Sequence, residues 1–249
     1  LTEEQLCISY AKDAKPIQPR GLIAIDRNLD NLMAVNSAGQ ITREDLAKAT
    51  EIKAMYREIR SHMRRNDMRI RRRVSGKYGR KQREKVKQIL HHASKQIVAD
   101  AKARQFGVVM EKLTGIRKLY RRGNWQSRWY RARLNSWSFA ELQRQIDYKA
   151  RWEGIPVTYV NPYGTSLKCS TCGSRMARIP EENRTLKCPR CGFTVDRDVN
   201  AARNILAAGG VRFTAFAPAK EAMVQEPRTA GNPESRWERV NSKAQAPIS

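Results

Sequence analysis

The stretch Cys169–Leu206, CSTCGSRMARIPEENRTLKCPRCGFTVDRDVNAARNIL, decides how the rest of the chain is read. Two Cys-x-x-Cys pairs, Cys169 with Cys172 and Cys188 with Cys191, are each followed by a glycine, Gly173 or Gly192. Glycine permits the tight turn by which such a knuckle aims two sulfurs at one ion. Four thiolates satisfy tetrahedral zinc and leave no open position, so the expected site is structural rather than catalytic. Redox pairs or free thiols compete with this reading, but two pairs at this spacing favour a metal. The fifth cysteine, Cys7, stands alone. Beyond the second knuckle, Asp196 and Asp198 precede an expected helix from Val199 to Ala208, ended by Gly209-Gly210.

Working outward, two short apolar runs end on acids. Gly21–Asp26 (GLIAID) and Phe106–Glu111 (FGVVME) suit strands buried on both faces. After the polar turn Arg27–Asp30, Leu32–Val35 returns as a strand, which makes a hairpin with Asp26 at its mouth. From Thr42 to Arg73 the pattern is helical, and Gly76 and Gly79 are expected to break it. A second helix is expected over Lys81–Arg104, with an apolar stripe of Val86, Leu90, Ala93, Ile97 and Ala101. A basic loop then leads to a third helix, whose Phe139, Leu142, Ile146 and Ala150 share a face. Gly154 stops that helix and a strand over Ile155–Val160 follows. Residues 1–19 read as an extended lead-in, and residues 209–249, with scattered prolines and little apolar periodicity, as a disordered tail.

The 249 residues carry 49 Lys+Arg against 24 Asp+Glu, a formal net charge of +25. Self-repulsion on that scale calls for a polyanionic partner, and nucleic acid is the leading one. Arg71, Arg72 and Arg73, and Arg121 with Arg122, are the runs expected to meet phosphate. Trp125, Trp129, Tyr130 and Trp137 lie among arginines and are candidates to stack unpaired bases, although Trp137 with Phe139 suits a core equally well. His91 and His92 read as packing or surface residues. No apolar run nears the roughly 18 residues of a membrane span, and no signal-peptide pattern opens the chain. A cytoplasmic, nucleoid-associated protein of a prokaryote is expected.

A lone acid at a strand end is usually a cap or a solvated turn residue. Asp26, Glu111 and Asp198 together suggest more, since two close short apolar strands and the third opens a helix beside a knuckle. Phosphodiester hydrolysis by two metals needs hard oxygen ligands from separate segments of the chain. These three are right in type, but spacing alone does not bring them to one place.

Five motifs in order, AIDRNLDNLMAV, VVMEKLTGI, TSLKCSTCG, LKCPRCG and DRDVNAARNIL, resemble the nuclease and zinc-ribbon half of the TnpB (OrfB) proteins of insertion-sequence transposons, to which type V CRISPR effectors are related. The resemblance covers roughly residues 20–208 and implies an α/β fold: an RNase H-like (RuvC) mixed sheet flanked by helices, with an inserted four-cysteine zinc ribbon. It divides the chain into a nuclease part over 20–164, the ribbon over 165–195 and a last nuclease helix over 196–208. It implies RNA-guided DNA cleavage with Mg²⁺ or Mn²⁺ at Asp26, Glu111 and Asp198, and as partners a guide RNA and a DNA target.

Asp196 rivals Asp198, and either can serve as a helix cap; the family pattern sets its acid two residues before Asn200, which favours Asp198. Arg184 resembles a ribbon arginine of the family that contacts the strand entering the site. Two departures stand out. Arg27 and Asn28 follow the first acid where the family often has a small residue. Full-length members also carry an N-terminal region for guide and target recognition, whereas little precedes Gly21 here, so a truncated copy is expected. The alternative is a catalytically silent, zinc-stabilised nucleic-acid-binding remnant or regulator of transposition.

Overall fold

The computed structural model describes residues 12–63, 67–113, 127–135, 137–180 and 182–210. The lead-in before residue 12, with Cys7, and the tail from 211 lie outside the described residues, as does the expectation that the tail is disordered.

A five-stranded mixed sheet in the order β3-β2-β1-β4-β5 organises the chain. Its strands are β1 (Gly21–Arg27), β2 (Asn31–Asn36), β3 (Ile41–Asp45), β4 (Phe106–Glu111) and β5 (Val157–Val160). β1 pairs antiparallel with β2 and parallel with β4, so that Ile25 stands opposite Met110. β4 pairs parallel with β5, with Glu111 opposite Val160. The two expected acid-terminated strands are therefore neighbours running the same way, and their acids emerge at the same end.

The alternation of side chains along a strand then divides the core in two. Ile23 and Ile25 of β1 and Val108 and Met110 of β4 face a cluster built by α1 (Ala47–Ser61), α2 (Ser75–Arg104) and α4 (Phe139–Trp152). Ala24 and Val109 face the other way, onto Val199, Ala202, Ile205 and Leu206 of α5 (Arg197–Ala208). Extending the same period by two residues puts Asp26 on the face of Ala24 and Glu111 on the face of Val109, the face that α5 covers. The end of α5 sits close: a Cβ on Gly209 would stand 2.8 Å from Val109 Cγ2.

The expected stripe of α2 is buried at all five positions. Elsewhere the structure corrects the sequence reading. Thr42 begins no helix; Ile41–Asp45 is an edge strand on β2, because Gly39 with φ 82° turns the chain back and β-branched Ile41 and Thr42 suit a pleated surface. α1 ends at Ser61, and Gly76 and Gly79 break nothing: a π-helical turn, Ile70–Val74, runs directly into α2, where both glycines lie. A helical glycine costs only about 1 kcal/mol, which the long packed stripe outweighs. The basic segment after β4 contains a helix, α3 (Arg128–Asn135), and β5 starts two residues later than expected. The cysteine segment is a three-stranded antiparallel sheet of β6 (Ala177–Ile179), β7 (Glu182–Lys187) and β8 (Thr194–Asp196). Among the described residues no helix is long and apolar enough to cross a membrane.

Candidate active site and cysteine cluster

The start of α5 separates the two rival aspartates. Asp196 has extended backbone, and its side chain accepts from the amides of Asp198 at 2.8 Å and Val199 at 3.3 Å, so it is the N-cap. Asp198 lies in the first turn, only 1% exposed, on the side of α5 that meets the sheet. Asp26 is buried at the end of β1 and accepts a hydrogen bond from Asn28 Nδ2 at 2.9 Å. Its pKa is pushed up to about 7, first by burial and then by the nearby charges of Glu111 and Asp198; Asn28 and Arg197 only partly offset this. Burial also raises Glu111, against a 2.6 Å hydrogen bond from the Thr165 hydroxyl and the charge of Arg27. Three carboxylates from β1, β4 and α5 thus interact in one partly desolvated place.

Cations surround them. Arg184 on β7 pairs with Asp198 and has its Nε 3.8 Å from Asp196, while Arg197 Nε lies 3.5 Å from Asp198 Oδ1. Arg27 occupies the opposite face of β1 and is 2% exposed. Its Nη2 donates to the Glu111 carbonyl, and its Nη1 donates to Gln143 Oε1 at 2.6 Å and Phe139 O at 3.4 Å. Burial lowers its pKa to about 10, so it remains a cation at neutral pH. The residue that departs from the family pattern therefore ties the end of β4 to α4, and its neighbour Asn28 orients Asp26.

α5 also holds the loop before the first knuckle. Asn200 accepts from Ser170 N at 3.0 Å and donates to Lys168 O at 2.7 Å. Asn204 donates to Thr165 O at 2.6 Å and Lys168 O at 2.7 Å. Arg27, Thr165, Asn200 and Asn204 were not singled out as site residues from sequence. A signal existed for one of them: asparagine is a poor interior helix residue, and Asn200 stands between apolar positions of α5.

The cysteines form a separate centre. Their ligand atoms all lie within 4.8 Å of one another, and among the described residues this is the one such group of His, Cys, Asp or Glu. The carboxylate site is more open than that. Cys169 and Cys191 sulfurs are 3.8 Å apart and those of Cys172 and Cys188 3.5 Å. Zinc–sulfur bonds of about 2.3 Å give a tetrahedron with edges of about 3.8 Å, so the cluster has the size for zinc. The knuckles match: Gly173 N donates to Cys169 O at 2.9 Å and Gly192 N to Cys188 O at 3.0 Å, with φ 76° and 73° at the two glycines. Hydrogen bonds from the Ser174 amide and hydroxyl hold the Cys172 thiol down at about 6. The Phe193 amide favours the Cys191 thiolate too, but burial and the neighbouring sulfurs push that thiol up to about 12. Four converging sulfurs therefore suit a single soft cation.

Of the remaining expected contacts, Arg73 is exposed in the π turn. The side chains of Arg71, Arg72 and Trp129, and all of Arg121, Arg122 and Trp125, lie outside the described residues. Tyr130 is exposed. Trp137 belongs to the fold: its Nε1 donates to Asn28 O at 2.9 Å and its ring centroid is 5.0 Å from that of Phe139.

A mixed sheet with buried acids at one end and a cysteine-bearing insert before the last helix defines a class, and comparison with known proteins gives the family. A family model described as Cas12f1-like, TNB domain, matches residues 139–205. A TnpB-like protein of Methanocaldococcus jannaschii is 32% identical over 214 residues, 82% of this chain and 75% of the relative. A CRISPR-associated endodeoxyribonuclease Cas12f1 of Sulfoacidibacillus thermotolerans is 38% identical over 120 residues, 46% of this chain and 25% of the relative. The cryo-EM structure of a Cas12f1–sgRNA–target DNA complex shares the fold, with a TM-score of 0.59 over 76% of this chain and 50% of that one at 22% identity. The chain thus matches half or less of these Cas12f1 proteins. It belongs to the TnpB family.

Proposed function

We propose that the protein is a transposon-associated, RNA-guided DNA endonuclease with an RNase H-like (RuvC) nuclease fold, cleaving DNA at Asp26, Glu111 and Asp198. The observation that carries this reading is the convergence of the three carboxylates, felt by Asp26 as a pKa near 7. A hard-oxygen cluster whose like charges oppose ionisation fits a divalent cation. Mg²⁺ or Mn²⁺ held there would supply an activated water and stabilise the leaving oxygen.

The chain's own residues do the rest. Asn28 and Thr165 orient the carboxylates of Asp26 and Glu111, and Arg27 braces the end of β4. Arg184, half-exposed on the insert, is placed to exchange Asp198 for a phosphate of the DNA. The insert, residues 165–195, is a zinc ribbon in which Cys169, Cys172, Cys188 and Cys191 hold a structural ion. The charge of +25 suits a guide RNA and its DNA target. The relatives named as endonucleases support the same activity.

The test is cleavage by the purified protein with Mg²⁺, cognate RNA and target DNA. Cleavage that Asp26→Ala abolishes is expected. No cleavage, or cleavage indifferent to Asp26→Ala, would overturn the proposal.

A further inference from the structure

The turn between β5 and the first knuckle, Asn161–Lys168, is tied down from inside and bare outside. Asn161 Oδ1 accepts from Tyr163 N at 3.0 Å, and Gly164 O accepts from Leu167 N and Lys168 N at 3.1 Å each. The Thr165 hydroxyl reaches Glu111 Oε1 at 2.6 Å, and Asn204 of α5 holds the Thr165 carbonyl. On this anchored backbone Tyr163 is 86% exposed and Leu167 54% exposed, the two highest values among the large apolar side chains described. Gly164, with φ 78°, leaves room for the stem of Lys168, whose Cε lies 3.3 Å from where a Cβ would stand. Lys168 is itself exposed.

An aromatic ring held in water by a fixed backbone buries little apolar area within its own chain, so its favourable burial is left for a partner. The partner has to offer a flat apolar face and negative charge together, given Lys168 and the chain's +25. An unpaired nucleotide has both, whereas a duplex hides its base faces in the stack. Tyr163 is two residues from the hydroxyl that touches Glu111, so a base resting there belongs to the strand that passes the carboxylates.

We infer that Tyr163 is a stacking platform for one unpaired base of single-stranded nucleic acid beside the acid site, with Lys168 neutralising a neighbouring phosphate. The inference deepens the nuclease reading and rests on it for the destination of the strand.

The full chain, in buffer without added magnesium, is titrated with dye-labelled oligothymidylate across a range of salt, and affinity is read by fluorescence anisotropy. Tyr163→Ala should weaken binding about 5- to 100-fold with an unchanged salt slope, and Tyr163→Phe should restore it to within about twofold. Lys168→Ala should make the log–log salt slope shallower by about 0.7. Parent-like affinity in Tyr163→Ala, or a Tyr163→Phe variant as weak as Tyr163→Ala, overturns the platform alone and leaves this face to a protein occupant. A parent chain that binds no oligonucleotide overturns both the platform and the nuclease reading.

Discussion

The four sulfurs and the three carboxylates are two clusters built in opposite ways. All four sulfurs come from the single segment Cys169–Cys191, which closes over a small core of Met176 and Leu186 completed by Phe193 and Val195 just beyond it. The carboxylates come from two parallel strands and a distant helix, and meet only because β1 pairs with β4 and α5 packs on one face of that pair. The first cluster is a local solution, set by two glycine-turned knuckles within one short stretch of chain. The second is a property of the whole sheet. The two are nevertheless joined, since Asn200 of α5 grips the loop leading into Cys169 and Arg184 of the insert reaches Asp198.

The contrast can be broken most forcefully at the sulfurs. Cys188→Ser should lower metal content from about one zinc per chain to none and unfold the insert, because closed thiolate sites contribute about 10 kcal/mol of folding energy in isolated zinc peptides. Amide exchange should quicken at Ser170 while the β1–β4 pair keeps its protection. Loss of protection throughout the sheet would show that the clusters fold as one.

Next in size, Asp198→Ala should reduce cleavage about a thousandfold or more while zinc content stays at about one per chain. Zinc loss in this variant would erase the division of roles.

Asp26 offers a smaller effect with a defined sign. Its folded pKa of about 7 lies above the reference value of 3.8, so the folded state binds the proton more tightly. Stability therefore falls as pH rises from about 4 to about 7, and Asp26→Asn removes that loss. Without divalent cations, the variant should be more stable than the parent at pH 8 by about 2 to 4 kcal/mol, with the difference closing near pH 4, as read by urea unfolding. A difference independent of pH would contradict the carboxylate clustering.

The smallest change is at the cap. Asp196→Ala should cost about 1 kcal/mol in thermal unfolding and leave far more cleavage than Asp198→Ala does. Equal loss of cleavage in the two would merge the roles that the geometry separates.

Several features were legible in the order of residues because they are local. The knuckle spacing, the apolar runs that end on Asp26 and Glu111, and the α2 stripe each follow from a short-range rule of turn or period. β3 was not legible: its burial is partial, its charges resemble those of a helix start, and its strand character comes from pairing with β2. The run of α2 through Gly76 and Gly79 was hidden because glycine's local preference is weaker than the packing of a long helix. Arg27 reads as an ordinary charge in sequence and becomes a brace only when α4 arrives behind β1.

By itself, then, the sequence determined the paired-cysteine pattern and the acid at the end of each strand, since both depend on neighbours a few residues away. Only the tertiary structure decided that Asp26 and Glu111 share the face covered by α5, that Asp196 caps while Asp198 turns inward, and that Arg184 meets it. Those outcomes depend on strand pairing and helix seating between segments far apart in the chain, where the deciding energy is the burial of the apolar faces between them.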